Sequence, residues 1–314
     1  MTKLKILKKI RSIVPHDVFK EIVEFFKHYF GGLIKRIDEH DLFFSAAGIS
    51  YSLFLGMIPF ILLIFFLLGN IFDTKTLELQ IGQIIDTVIP YPVYADYTKR
   101  VIQTRLPEVI GYKTIAGFIG IIGLIFTSTW IFSSMRTILN QIFHTNVQKH
   151  IIIGIIRDIG MVLLLVLFIT LSTFILPAFN IFIEEADSTN LFSSFNFTEI
   201  WNLILRIASI LIMLAMFFSL YYLIPYEKLK KRVALLSAFW TTLLWEVARS
   251  FFGYYIKYFF GSSAIYGAFV LIVVILLWVF YSSCIFIIGA EIGQLYRERR
   301  EKRNEKYNSS ASLI

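Results

Sequence analysis

Five stretches of this chain, 42–72, 114–135, 159–183, 207–226 and 258–290, run without a single Asp, Glu, Lys or Arg. Crossing roughly 30 Å of hydrocarbon takes about 20 mostly apolar residues at about 1.5 Å each, so every one of these runs is long enough to span a bilayer as a helix. In lipid the backbone must satisfy its own hydrogen bonds, and a single uncharged segment does so only as a helix. With 57% hydrophobic residues, 32 Phe and only 17% charged, the chain is too apolar for a soluble domain or a disordered one. The fold expected is all-α, a polytopic membrane bundle.

A sixth stretch, 233–256, is apolar apart from Glu246 and Arg249. Charge placement decides its status, because cytoplasmic segments near membrane ends carry the excess of Lys and Arg. With six spans, 22 of the 30 Lys and Arg fall in segments on one side (1–43, 136–157, 228–232 and 297–306), against six on the other. Leaving out the 233–256 span would strand the basic tail on the wrong side. The sequence therefore predicts six spans at about 44–72, 114–137, 159–182, 200–225, 234–256 and 265–290 within a domain covering 44–290. It also predicts a cytoplasmic N-terminal segment over 1–43, an extracytoplasmic segment over 73–113, and a basic cytoplasmic tail over 291–314. The net charge of +8 is explained by this topology and by anionic headgroups, and gives no reason to invoke nucleic acid.

Between Pro15 and Phe30 the residues Val18, Ile22, Phe25, Phe26 and Tyr29 share one helical face, with Lys20, Glu21, Glu24 and Lys27 on the other. That pattern predicts an amphipathic helix, lying on the membrane or packed on the protein's own cytoplasmic ends. No cleavable signal sequence is read in the N-terminus. In the 73–113 segment Leu77, Ile81, Ile84, Ile85 and Val88 recur at helical spacing before the Pro90–Tyr91–Pro92 turn, which predicts a short helical cap.

Ionisable groups inside a membrane need partners or a wet cavity. Counting residues along the spans puts Glu246, Arg249 and Arg206 at one level in the outer half, which predicts a cluster of the three. Two readings of it stand: an outward-opening site for an anionic or zwitterionic substrate, or a buried ion triad that fixes helix register. At the cytoplasmic level Arg136 and Glu291 are expected to form a clasp, with Asn140 one turn away. Small residues mark close helix approaches: Gly48, Ser52 and Gly56 on the first span, Gly117, Gly120 and Gly123 on the second, Gly289 and Gly293 on the last. Pro59 is expected to kink the first span.

The chain has one cysteine, Cys284, which excludes an internal disulfide and a Cys-based zinc site. Its five histidines form no HExxH or other metal-binding pattern, and GxSxG, GxxxxGK[ST] and dinucleotide-loop motifs are missing from the sequence. No catalytic, cofactor-binding or metal-binding residues are therefore assigned, and no cofactor is expected.

Three segments carry a resemblance. They are FFSAAGISYSLFLGMIPFILLIFFLLG, GIIGLIFTSTWIFSSMRTILNQIFHT and AIYGAFVLIVVILLWVFYSSCIFIIGAEIGQLY. Together they resemble the YihY/BrkB family of six-span bacterial inner-membrane proteins, through Ala46, Ala47, Tyr51 and Pro59, Trp130, Arg136 and Asn140, Pro225, and Tyr266, Gly267, Trp278, Gly289, Ala290 and Glu291. The resemblance implies an inner-membrane location with both termini cytoplasmic. It also brings a former ribonuclease label, which the search for catalytic motifs does not support. The expected function is that of a transporter, exporter or lipid-translocating permease of unknown substrate. The alternative is a non-transporting envelope or assembly factor, and a membrane enzyme ranks last. Expected partners are membrane lipids and a small-molecule or lipid substrate, without nucleic acid; the sequence leaves a homo-oligomer open.

Overall fold

The computed structural model describes residues 27–71, 111–145, 151–171, 197–227, 229–259 and 267–311, with single positions at 24, 82, 96, 99, 100 and 104. Most of the amphipathic helix expected over 15–30, most of the 73–113 cap with its proline turn, and the outer part of the third expected span lie outside the described residues. Among the described residues the chain makes a π-helical turn at Lys27–Gly31 and then seven α-helices. These are α1 (Gly32–Glu39), α2 (Leu42–Ile71), α3 (Lys113–Ile142), α4 (Ile151–Thr170), α5 (Phe197–Leu223), α6 (Lys231–Phe259) and α7 (Gly267–Ala311). No strand occurs among the described residues.

Among the described residues four segments are long and apolar enough to cross a bilayer: Leu42–Leu63, Lys113–Ile142, Leu203–Leu223 and Ile272–Glu305. They belong to α2, α3, α5 and α7. Helix α4 is described for 20 residues of a stretch expected to run further. Helix α6 carries Lys231, Arg232, Glu246, Arg249 and Lys257, which make it less apolar than α2, α3 and α5, the helices of similar length. Both nevertheless take their places in the bundle. Each helix from α2 to α7 packs on the next in the chain, and α7 returns to α2, so the six form a closed ring.

Neighbouring helices run antiparallel. Along α2 and α3, Ser52 meets Ser134 at 3.0 Å, and further along Pro59 and Leu63 meet Gly120. A Cβ added to Gly120 would stand 2.9 Å from the Leu63 nitrogen and 3.1 Å from the Pro59 oxygen, so only glycine lets these backbones approach so closely. Gly56 lies against Ile131 and Thr127 of α3, whereas Gly48 has no atom within 4 Å of the same construction. Positions four apart advance about 40° around a helix at 3.6 residues per turn. Over two such steps the stripe turns away, and only its Ser52–Gly56 part faces α3.

Helices α6 and α7 pack as tightly. Above Gly289 stand Thr241 Oγ1, Tyr221 Oη and the Ser237 oxygen, and above Gly293 stands Ser237 Oγ, each too close for a Cβ. The Tyr221 hydroxyl ties three helices together: it donates to the Phe286 oxygen at 2.6 Å and lies 2.6 Å from Thr241 Oγ1. The fully buried residues gather toward the end of the ring where α3 and α5 finish and α2, α4 and α6 begin, among them Ala46, Leu139, Ile142, Ile224, Val233 and Ala290. The same end carries the basic-rich segments, and we call it the basic end. By contrast Phe118, Ile122 and Phe126 of α3 are 65%, 67% and 58% exposed, a contiguous apolar face that suits hydrocarbon surroundings and not water.

Candidate functional site

Three polar assemblies and one cavity stand out. In the half of α6 remote from the basic end, Arg249 Nη2 lies 2.8 Å from Glu246 Oε2. Three residues apart on one helix, the two share a face and partly neutralise each other. The structure does not bring Arg206 to them. Tyr221 meets Thr241 and the Phe217 and Trp245 rings lie 5.9 Å apart, and this register sets Arg206 level with about position 256. At 1.5 Å per residue it stands about 10 Å further out than Arg249. Depth counted inward from the edges of apolar runs misses this, because packing between large side chains sets the offset of two helices. Arg206 is exposed and forms no ion pair among the described residues.

In the same half of α6 a cavity of about 530 Å³ opens between α6 and α7. Phe252, Tyr255, Trp278 and Tyr281 form its walls, with Phe251 and Tyr254 at the rim. The Phe252 and Trp278 rings lie 4.6 Å apart, and Trp245 closes edge-on to Trp278 at 5.1 Å. A volume in this range accommodates a small ligand, and aromatic walls offer flat apolar contact with hydroxyl groups at their edges. Neither Glu246 nor Arg249 is among the wall residues. Tyr51 of α2 is 64% exposed.

At the basic end the structure does not pair Arg136 with Glu291. Arg136 forms its ion pair with Asp158 of α4. It also donates from Nε to the Ile224 oxygen at 3.4 Å and from Nη1 to the Tyr226 hydroxyl at 3.4 Å. Arg157 donates to the Ile224 oxygen at 2.7 Å. Both guanidiniums lie 4.8 Å from the Tyr226 ring. This assembly joins α3, α4 and the α5–α6 turn, satisfying the Ile224 carbonyl that the end of α5 leaves open. Asn140 plays a local part: its Oδ1 accepts from Thr145 Oγ1 at 2.7 Å and its backbone oxygen from the Thr145 nitrogen at 2.9 Å, closing the end of α3.

Glu291 is wholly buried and takes its partners from the N-terminal arm. Oε1 lies 2.5 Å from His40 Nδ1 and Oε2 accepts from Arg36 Nη1 at 3.2 Å. Arg36 also pairs with Glu298, which accepts from Gln294 Nε2 at 3.1 Å. Burial alone would raise the Glu298 carboxyl, but the Arg36 hydrogen bond and charge outweigh it and hold Glu298 below the usual carboxylate range. His28 Nε2 meets the Leu295 oxygen at 3.0 Å, and Arg297 donates to the Phe143 oxygen at 3.1 Å. Arg36, His40 and Asp158 escaped the sequence reading. Asp158 was legible as the one acidic residue in a basic segment beside an apolar run. Nothing local in the sequence pairs position 36 with position 291.

No group of three or more His, Cys, Asp or Glu among the described residues is placed to hold a metal ion.

A family model described as Virulence factor BrkB matches residues 33–314. Among curated relatives, a UPF0761 membrane protein of Pseudoalteromonas atlantica is 26% identical over 253 residues, 79% of this chain and 79% of its own. One from Cronobacter sakazakii is 24% identical over 277 residues, covering 87% of this chain and 91% of its own. One from Yersinia pseudotuberculosis serotype O:3 is 28% identical over 211 residues, 67% and 69%. No solved structure matches this chain.

Proposed function

The chain belongs to the Virulence factor BrkB family of membrane proteins, and from that premise we propose that it is an inner-membrane permease for an amphipathic solute or lipid. Six spans cross the membrane, with the basic end and both termini in the cytoplasm. The supporting observation is the aromatic-walled cavity of about 530 Å³ between α6 and α7, in the half of the bundle remote from the basic end. Its walls suit an acyl chain or other apolar body, and the same half of α6 carries both charges in Glu246 and Arg249. The protein acts by binding and moving its substrate, not by covalent chemistry.

A second reading, a non-transporting envelope or assembly factor, draws on the dense packing of the basic end, where buried Glu291 and Asp158 are both paired. Proteoliposomes loaded with a fluorescently labelled phosphatidylethanolamine separate the two. A permease for lipids lets an impermeant reductant quench label that began in the inner leaflet. Quenching confined to the outer leaflet, as in protein-free vesicles, overturns the lipid-permease reading and favours the second.

A further inference from the structure

Among the described residues, one half-buried guanidinium at the basic end has no carboxylate of its own. Arg157 is the last basic residue of α4 before the uncharged 159–183 run, which sets it at the edge of the hydrocarbon. Its Nη2 donates to the Ile224 oxygen at 2.7 Å, and its guanidinium lies 4.8 Å from the Tyr226 ring. Nε is buried without a hydrogen-bond partner. Of the five N–H donors of this guanidinium, the Ile224 oxygen thus takes one. Asp158, next to Arg157 in the chain, forms its ion pair with Arg136.

The excess of positive charge survives a count of the neighbours. Arg136, Arg157 and Asp158 together leave one cation unbalanced. On the α5–α6 turn and the start of α6 lie Glu227, Lys230, Lys231 and Arg232, all exposed, three cations against one carboxylate. A face open to lipid runs beside Arg157. Ile156, Gly160, Leu163 and Leu167 follow one another at spacings of four, three and four, so they share one side of α4, and all four are exposed. A Cβ on Gly160, three residues along the helix from Arg157, would meet no atom within 4 Å.

We propose that Arg157 binds the phosphodiester of a phospholipid with one net negative charge, and that an acyl chain of this lipid lies along the Ile156–Leu167 face of α4. Bonded to a carbonyl and set over Tyr226, the guanidinium is held in place before the ligand arrives, which lowers the cost of ordering it. Its remaining N–H groups suit phosphate oxygens. A phosphatidylglycerol headgroup carries a single negative charge, whereas the ammonium of phosphatidylethanolamine would add a cation beside Arg136 and Arg157. The exposed apolar face favours the phosphate of a lipid over a free one. The site stands whether or not a substrate is carried.

Native mass spectrometry of the full chain, released from detergent micelles doped with dioleoylphosphatidylglycerol or dioleoylphosphatidylethanolamine, tests it. The unsubstituted protein should bind phosphatidylglycerol about tenfold more tightly than phosphatidylethanolamine, the worth of about one hydrogen bond to a charged group. Arg157→Gln should lose that margin. Lys231→Gln removes an exposed cation at the same end and should keep it. Inorganic phosphate in excess should leave phosphatidylglycerol bound. Equal binding of the two lipids by the unsubstituted protein overturns the proposal, with no variant needed. So does an Arg157→Gln protein that keeps the margin, or an equal loss in Arg157→Gln and Lys231→Gln, the mark of diffuse attraction. Displacement of phosphatidylglycerol by inorganic phosphate would show a free-phosphate site and overturn the assignment to a lipid.

Discussion

Arg136 near the end of α3 forms an ion pair with Asp158 near the start of α4, and both side chains are buried. Removing one member leaves the other charged and without its partner, which costs about 3–5 kcal/mol. Asp158→Asn should therefore lower the unfolding temperature in detergent. Arg136→Met combined with Asp158→Asn should lose less than the sum of the two single changes. Additive losses would show that the pair does not act as a unit.

The α6–α7 contact has no room at Gly289, where a Cβ would overlap Thr241 Oγ1. Gly289→Ala should destabilise the bundle by about 1–3 kcal/mol through overpacking. Gly48→Ala meets nothing within 4 Å and should stay within about 0.5 kcal/mol of the parent protein. Thermal unfolding of the two variants side by side checks the contrast.

Glu298 is held below the usual carboxylate range: its burial works in the raising direction, and the hydrogen bond and charge of Arg36 outweigh it. For a carboxyl depressed in the folded state, the stabilisation is present above its unfolded pKa and disappears as pH falls through the folded one. The bundle should accordingly lose stability in acid below the usual carboxylate range, through protonation of Glu298. Glu298→Gln should be less stable than the parent near neutral pH and show a shallower acid decline. Parallel acid profiles would remove Glu298 from the explanation.

Glu246 balances Arg249 in the half of α6 that also lines the aromatic cavity. Glu246→Gln should reduce lipid movement in proteoliposomes while leaving membrane insertion intact, and Trp278→Ala should do the same by opening a cavity wall. Comparing initial quenching rates at equal amounts of inserted protein measures this. Unchanged rates in both variants would dissociate the cavity from transport.

Much of the helical framework was legible because lipid imposes a simple rule: uncharged runs become helices. The 42–72 and 114–135 runs lie within or beside α2 and α3, and the small residues at 117, 120 and 123 face Pro59–Phe66 across that contact. Pairings were much less legible. Depth alone matches Arg136 with Glu291, yet each finds a nearer partner, Asp158 and the Arg36–His40 arm, because side-chain direction around a helix decides contact once depth is shared. Arg206 was mislevelled for a related reason, since the packing of Phe217 and Tyr221 on α6 fixes the offset of α5. The aromatic cavity came from positions 252, 255, 278 and 281, whose residue types are common on any lipid-facing helix and carry no local signal.

Sidedness is the most direct test of the six-span arrangement. The single cysteine, Cys284, is buried, so replacing it by Ser leaves a clean background for cysteines placed at Thr2, Thr87 and Ser312. A membrane-impermeant maleimide applied to intact spheroplasts should label the Thr87→Cys protein and reach the Thr2→Cys and Ser312→Cys proteins only after permeabilisation. Labelling at either terminus before permeabilisation, or protection at position 87, would contradict a ring of six spans with its basic end in the cytoplasm.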